Sequence, residues 1–339
     1  MNPKRLLIIL AILFQVVVLS IMVIEREWIV VKGQRIYLRT APVDPRDIMR
    51  GDYVRLTYDL SHIPFDRIQG NLKNRMKQKG QIVYIVFQLG ENGLATYKYA
   101  TDTKPKDGLY IRGRISDLID WRMNYSQTIM NVSYGIESYF VEQGKGRDIE
   151  QKMRGIDGIQ FPMEMNIALS PSGTAVIIGH RWSPLGIGTR ILNGTVGTFK
   201  ENPGSITLRV TLKNDSDKPI GIVNLHDQCS FRLEPEIFCK KKYPQVYTAC
   251  NTNRLLTDSD VVILKPNSVH EIDFDFSNPR WYVFEQKKAV QIGALETTEL
   301  FRIVYSSPLP EQCSQLTHKD SIWHGYIASR RFHGRGNID

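Results

Sequence analysis

Two carboxylates lie in aromatic segments of the sequence, Asp52 in "RGDYVRLTY" (50–58) and Glu137 in "YGIESYF" (134–140). In many hydrolases one carboxyl group donates a proton to the leaving group while a second activates water or attacks the substrate. Nothing in the spacing brings these two carboxylates together. The alternative is structural, with Asp52 capping a turn and Glu137 meeting a nearby arginine. We expect the structural role.

Four tyrosines accompany the carboxylates, namely Tyr53, Tyr58, Tyr134 and Tyr139. Tyrosine supplies contact area together with a polar group, so the four rings can line a ligand groove. The same rings can instead form part of a hydrophobic core. The sequence leaves both possibilities open.

A serine nucleophile is missing from the place where it would be expected. The segment "RGDYV" resembles the strand that begins the β-domain of type I signal peptidases, which also follows an N-terminal membrane helix. Those enzymes use a serine activated by a lysine, and their nucleophile lies between the helix and this strand. Residues 21–60 contain no serine. We therefore predict that the chain is not an enzyme of this kind, and no other catalytic constellation is recognisable.

The histidines do not form a metal-binding motif. Zinc sites place cysteine and histidine ligands at short, regular spacings, whereas the seven histidines are scattered along the chain. The sequence therefore predicts no metal and no cofactor. The histidines are His62, His180, His226, His270, His318, His324 and His333.

The four cysteines, Cys229, Cys239, Cys250 and Cys313, all fall in the last third of the chain. Four cysteines allow three different pairings into two disulfides. Because disulfides persist outside the cytoplasm, we expect two structural disulfides, with Cys239 and Cys250 as a local pair.

Residues 6–24, "LLIILAILFQVVVLSIMVI", contain no charge. At about 1.5 Å rise per residue they form a helix about 28 Å long, which is enough to cross a bilayer. Lys4 and Arg5 precede the run, so the positive-inside rule places residues 1–5 in the cytoplasm and the chain after Glu25 outside the inner (plasma) membrane. The alternative is a signal peptide cleaved after Ser20. The run is long for a signal peptide, and we predict an uncleaved single-pass anchor.

The formal net charge of +9 is spread thinly over the 339 residues. Its short basic clusters are typical of solvated loops, with attraction to an anionic lipid or polymer as the alternative. No nucleic-acid-binding motif accompanies them. We predict no nucleic-acid partner.

Beyond the anchor, apolar and polar residues alternate almost everywhere, which predicts an all-β (mainly β) fold. Regular strands over 33–182 indicate a β-rich barrel-like or sandwich domain. A junction rich in proline and glycine follows, and the strands of 187–325 are typical of an immunoglobulin-like β-sandwich. Residues 326–339 are predicted to form a basic C-terminal tail.

Two blocks of the sequence resemble the bacterial GDYXXLXY protein family. The first block follows the family motif without a mismatch, and the second comes in the expected order after it. The matching residues are Gly51, Asp52, Tyr53, Leu56 and Tyr58 in the first block and Gly135, Ile136, Glu137, Tyr139 and Phe140 in the second. The resemblance covers roughly residues 1–182. It implies a membrane-anchored protein of a family with no established activity, associated with multi-spanning membrane proteins, and it assigns no catalytic residue.

Together these observations lead us to expect a membrane-anchored, extracytoplasmic (periplasmic) binding or assembly module of the bacterial envelope. Its partners would be the inner membrane and a multi-spanning integral membrane protein. The motif residues would then shape a surface or groove. The alternatives are an envelope hydrolase that uses Asp52 or Glu137 as general acid or base, and a purely structural role for the motif.

Overall fold

The structure is a computed structural model that describes the N-terminal helix and most of the β-strands. The described residues are 3–42, 53–64, 68–70, 72, 79–90, 92–118, 129–155, 158–192, 207–225, 228–235, 246–248, 250, 255–276, 278, 280–285, 288–295 and 300–333.

Strands dominate the described part of the chain. Its helices are α1 (Pro3–Lys32), α2 (Lys145–Arg154) and the short 3₁₀ segments Asp59–Ser61, Asp258–Asp260, Ile292–Ala294, Pro310–Cys313 and Lys319–Ser321. Its strands are β1 (Gln34–Pro42), β2 (Tyr53–Tyr58), β3 (His62–Pro64), β4 (Ile82–Leu89), β5 (Ala95–Thr101), β6 (Leu109–Leu118), β7 (Ile129–Ser133), β8 (Ser138–Phe140), β9 (Ile159–Gln160), β10 (Met163–Leu169), β11 (Ala175–Trp182), β12 (Leu185–Ile191), β13 (Thr207–Asn214), β14 (Ile220–Val223), β15 (Phe231–Pro235), β16 (Tyr247–Thr248), β17 (Val261–Leu264), β18 (Val269–Asp275), β19 (Trp281–Glu285), β20 (Lys288–Gln291), β21 (Leu300–Ser306), β22 (Tyr326–Ala328) and β23 (Phe332–His333).

Helix α1 is continuous over 30 residues and includes the whole apolar run predicted to cross a membrane. The large apolar side chains between Leu6 and Ile24 are exposed. A long, exposed apolar surface is stable in lipid and unfavourable in water. By length and composition, α1 can cross a membrane. The helix continues past the predicted end of the span, through Glu25, and ends at Lys32.

Two five-stranded sheets form the first β region. One has the order β11-β10-β1-β2-β8 and the other the order β3-β7-β6-β4-β5. Their inner faces share one core, in which the alternation of the sequence is visible: Val54, Leu56 and Tyr58 of β2 are buried. Helix α2 contributes Met153 to this core. The first β region is therefore a pair of β-sheets packed around a common core, in agreement with the predicted β-rich fold.

The second β region has its own core, built by strands β12–β23. Its largest fully buried side chains include Trp281, Phe274 and Phe301. Strand β9, which precedes the predicted junction, adds to the sheet β18-β13-β12-β9. Strands β22 and β23 pair with β21, so the sheet includes residues that the sequence assigned to the basic tail. Residues 334–339 of that tail lie outside the described residues.

The cysteine pairing differs from the sequence-based expectation. Cys250 forms a disulfide with Cys229, and the two Cα atoms are 5.5 Å apart. The predicted Cys239–Cys250 pair is therefore wrong, because Cys250 can form only one such bond. Cys239 itself lies outside the described residues. Cys313 is a free, buried thiol, and it lies in a small apolar cluster with Val223, Leu316 and Ile322. Two disulfides were expected, whereas the described residues contain one.

We predict that Cys229→Ser destabilises the protein because it removes a crosslink that Cys239→Ser leaves intact. The Cys229–Cys250 bond closes a loop with a sequence separation of 21, and losing such a crosslink costs about 3 kcal/mol. Peptide mass mapping under non-reducing conditions identifies the bond, and thermal unfolding measures its contribution. Loss of the crosslink in Cys239→Ser but not in Cys229→Ser would contradict this pairing.

Candidate functional site

The two sequence blocks of the motif meet as neighbouring strands. Strand β2 pairs antiparallel with β8, so that Tyr53 lies opposite Phe140 and Val54 lies opposite Tyr139. The pairing joins segments that are far apart in the chain. Gly51 and Asp52, which begin the first block, lie outside the described residues.

Buried hydrogen bonds join β2 to the segment that leads into β8. The Tyr58 hydroxyl is buried and donates to the Ile136 carbonyl oxygen at 2.6 Å. The Leu56 amide donates to the Glu137 carbonyl oxygen at 2.8 Å. Burial, and to a smaller extent the charge of Glu137, raises the pKa of Tyr58 well above its usual value, so this hydroxyl stays protonated and keeps donating. Leu56, Tyr58 and Ile136 are thus structural, and none of them faces a ligand groove.

The Glu137 carboxylate is held by the turn that precedes β8. One of its oxygens accepts the backbone N–H of Tyr134, and the other accepts that of Gly135 at 2.9 Å. Gly135 has φ of 80°, a left-handed conformation that favours glycine. Glu137 therefore acts as a side-chain cap of this turn, and the arginine partner expected from the sequence is replaced by two backbone donors.

Tyr139 belongs to a separate row of polar aromatic contacts on the first β region. Its hydroxyl lies 3.2 Å from Nδ1 of His180, whose ring is edge-on to that of Trp182. Lys152 of α2 lies over the Trp182 ring at 4.9 Å. Partial burial, with a smaller contribution from the Lys152 charge, lowers the pKa of His180. At neutral pH the imidazole is uncharged and can exchange a hydrogen bond with Tyr139 in either direction.

Tyr53 and Phe140 form the exposed end of the motif pair. Their ring centroids are 6.0 Å apart, and 71% of Phe140 is exposed. Strand β8 lies at the edge of its sheet, and among the described residues no strand pairs with its outer side. An open strand edge beside an exposed aromatic ring is a surface on which an extended segment of another chain can dock.

A charged cluster is centred on Glu164, which lies on strand β10 of the same sheet. The Glu164 carboxylate is almost completely buried and binds two arginines, Nη2 of Arg39 at 2.8 Å and Nε of Arg181 at 2.8 Å. Arg39 is also buried, whereas Arg181 is about one-third exposed. The two ion pairs compensate for the hydration that the Glu164 carboxylate loses when it is buried.

Arg39 also connects the two β regions. Its guanidinium group lies over the rings of Trp323 and Tyr326, at 5.6 and 5.1 Å from the centroids. The Tyr326 hydroxyl donates to Asp59 at 2.5 Å. Loss of hydration raises the pKa of Asp59 in spite of the opposing effect of Arg39. We call this contact surface the Arg39 interface. It consists of Arg39, Asp59, Glu164, Trp323 and Tyr326.

The sequence pattern does not predict the Arg39 interface. Arg39 alternates with Leu38 and so resembles an ordinary solvent-facing residue of a strand. One signal was present, however, because Glu164 interrupts the otherwise apolar start of "MEMNIAL" (163–169). A carboxylate in such a strand is usually paired when it is buried.

Comparison with known proteins gives one family match. Residues 15–179 match the family model described as GDYXXLXY protein. The matched range includes both motif blocks and runs from the second half of α1 through most of β11. No curated protein and no solved structure matches the chain.

We predict that Tyr58→Phe lowers the stability of the first β region by about 1–2 kcal/mol, because it leaves the buried Ile136 carbonyl without its donor. Tyr53→Phe serves as the matched control, since this ring is only half-buried at the strand end. Thermal unfolding of the two variants gives the comparison. Equal effects of the two substitutions would show that the Tyr58 hydrogen bond does not stabilise the strand pair.

We also predict that Glu164→Gln costs about 3 kcal/mol, because it leaves the buried Arg39 without its counter-ion. Asp273→Asn is the control, since Asp273 pairs with Arg209 at 2.7 Å on an exposed surface, where an ion pair contributes little. The thermal midpoint should fall by several degrees in the first variant and hardly change in the second. A midpoint for Glu164→Gln equal to that of the control would contradict the prediction.

Proposed function

Residues 15–179 belong to the GDYXXLXY protein family, and for the chain that carries them we propose a role as a membrane-anchored, extracytoplasmic binding or assembly module of the bacterial envelope. The observation that carries this proposal is the outer edge of β8, with which no described strand pairs. There the two motif blocks meet and end in the half-buried Tyr53 and the exposed Phe140. The partner we propose is the extramembrane part of a multi-spanning integral membrane protein.

Two features support the extracytoplasmic location. Lys4 and Arg5 precede the apolar run of α1, and basic residues favour the cytoplasmic side of a membrane. The second β region contains the Cys229–Cys250 disulfide, and disulfides form and persist in oxidising compartments such as the periplasm. Both features favour a single-pass protein in the inner membrane with its β regions in the periplasm.

An immunoglobulin-like sandwich for the second β region is part of the same proposal. Its support is the set of antiparallel pairings among β12–β22 around one apolar core. Envelope proteins use such sandwiches to present loops and edges to partners. In this arrangement the second β region would extend the surface that the first one offers.

The hydrolase alternative gains no support from the described residues. A general acid or base must have a carboxyl group free to exchange a proton with the substrate, whereas both oxygens of Glu137 accept backbone hydrogen bonds. Asp52 lies outside the described residues.

The position of the β8 edge limits the kind of partner. Strand β1 leaves the end of α1 at Gln34 and runs to Pro42, a distance of about 26 Å at 3.3 Å per residue. Pro42 pairs with Leu56, and Tyr53 lies three residues further from the helix along β2. The Tyr53–Phe140 pair is thus at the end of the sheet remote from α1. A partner that docks there must itself project well beyond the membrane surface.

We predict that Phe140→Ser abolishes copurification of a multi-spanning membrane protein from mild detergent, because it removes the apolar side chain at the docking edge. The control is Phe284→Ser. Phe284 is also exposed, at 50%, and also packs against a tyrosine, Tyr282, with ring centroids 5.6 Å apart. The control should retain the partner.

Glu137→Ala is not a suitable test of this interface, because loss of the turn cap would disturb β8 itself. Thermal unfolding must show that Phe140→Ser is folded. A folded Phe140→Ser protein that retains the same partner in the same amount would refute docking at this edge.

A further inference from the structure

The end of α1 is fixed to the first β region. Ile29 is buried against Ala168 and Val176, on the hairpin that β10 and β11 form. The Gly33 amide donates to the Ile29 carbonyl oxygen at 2.8 Å. A side chain at Gly33 would meet that same oxygen at 2.4 Å and the Leu169 carbonyl oxygen at 3.1 Å. Only glycine fits here, and the helix enters the sheet through a close-packed junction.

The turn of this hairpin points along α1 toward the apolar run. Ser170 and Ser172 line one shallow groove together with Ile21, Ile24 and Glu25. Ile24 is the last residue of the uncharged segment, and Glu25 is the first charged residue after it. Residues 21–25 therefore mark the boundary between the hydrocarbon core and the lipid headgroups when α1 crosses a membrane. The turn lies at the same level.

The turn is rigid, because β6 supports it. The Tyr110 hydroxyl donates to the Pro171 carbonyl oxygen at 2.6 Å, and the Arg112 amide donates to the Gly173 carbonyl oxygen at 2.8 Å. Gly173 has φ of 80°, and a Cβ atom there would lie 2.7 Å from the Tyr110 ring. A preformed turn can bind a surface without the entropic cost of ordering a loop.

The charges around the turn favour an anionic surface. Residues 170–174, "SPSGT", carry hydroxyl groups and no acid. The Arg112 side chain is exposed and reaches the Thr174 hydroxyl only at 3.4 Å, which leaves most of its donors available to another acceptor. Arg114 lies two residues further on the same face of β6 and is also exposed. Glu25 is the opposing charge in the groove.

We propose that the turn Ser170–Thr174 and Arg112 form a second membrane contact, which rests on the lipid headgroups and in which Arg112 binds a headgroup phosphate. This contact and α1 are two separate points of attachment, so together they fix the height and tilt of the first β region above the bilayer. Guanidinium groups bind phosphate oxygens through paired hydrogen bonds, and anionic lipids attract basic residues at the membrane surface. The inference rests on the membrane anchoring in the proposed function.

The test uses the full chain in vesicles of phosphatidylcholine, with and without phosphatidylglycerol as about a quarter of the lipid. A fluorescent amino acid replaces Ser172, and lipids with spin-labelled headgroups quench it on contact. The matched control carries the same probe at Gln143. Gln143 is exposed and lies just beyond β8, at the end of the sheet remote from α1. Flotation with the vesicles reports anchoring separately.

We expect at least twofold stronger quenching at position 172 than at position 143, and an increase at 172 when phosphatidylglycerol is present. Arg112→Gln should abolish that increase. Arg190→Gln, which removes another exposed arginine, should leave it unchanged. Equal quenching at 172 and 143 in protein that floats would overturn the second contact but not the anchoring. Protein that does not float would overturn the proposed function itself, and an increase that survives Arg112→Gln would overturn the phosphate site.

Discussion

The pairing of β2 with β8 is the constraint on which the first β region depends. It joins segments about eighty residues apart, and it is closed by the hydrogen bond from the Tyr58 hydroxyl to the Ile136 carbonyl, at a sequence separation of 78. Leaving a buried carbonyl oxygen without a donor lowers stability by more than a formed hydrogen bond raises it. The turn before β8 is therefore stable in this buried position only when the Tyr58 hydroxyl donates to it. Glu137 stabilises that turn through its own side chain. The motif residues therefore hold two strands that are distant in the sequence in a fixed register.

The same strand pair has a buried interior and an accessible end. Its inner residues, Leu56 and Tyr58, are buried, whereas Tyr53 and Phe140 at its end are accessible. A substitution in the interior would change stability, whereas under the proposed function a substitution at the end would change binding. The two effects can be separated because side chains alternate between the two faces of a strand.

The Arg39 interface joins the two β regions through direct side-chain contacts. Arg39 supplies an ion pair to Glu164 within the first region and stacks on Trp323 and Tyr326 of the second. Its Nε and Nη1 atoms have no hydrogen-bond partner among the described residues, so the flat faces of the group carry much of the contact. With the close-packed junction at Gly33, this interface gives a continuous path of fixed contacts from the helix to the second region.

The sequence by itself determined the elements and their local character. An uncharged run of sufficient length specifies a helix suited to a bilayer, and alternation of apolar residues specifies strands with one buried face, as in Val54, Leu56 and Tyr58. The two motif blocks also identified the family whose model matches residues 15–179, because they combine residue type with order along the chain. Only the tertiary structure decided the partners. Cys250 pairs with Cys229, Arg39 with Glu164 at a separation of 125, and Tyr326 with Asp59 at a separation of 267. The physical reason is that local patterns reflect the backbone periodicity of one element, whereas a charge or a thiol has the same local pattern whichever distant residue the folded chain places beside it.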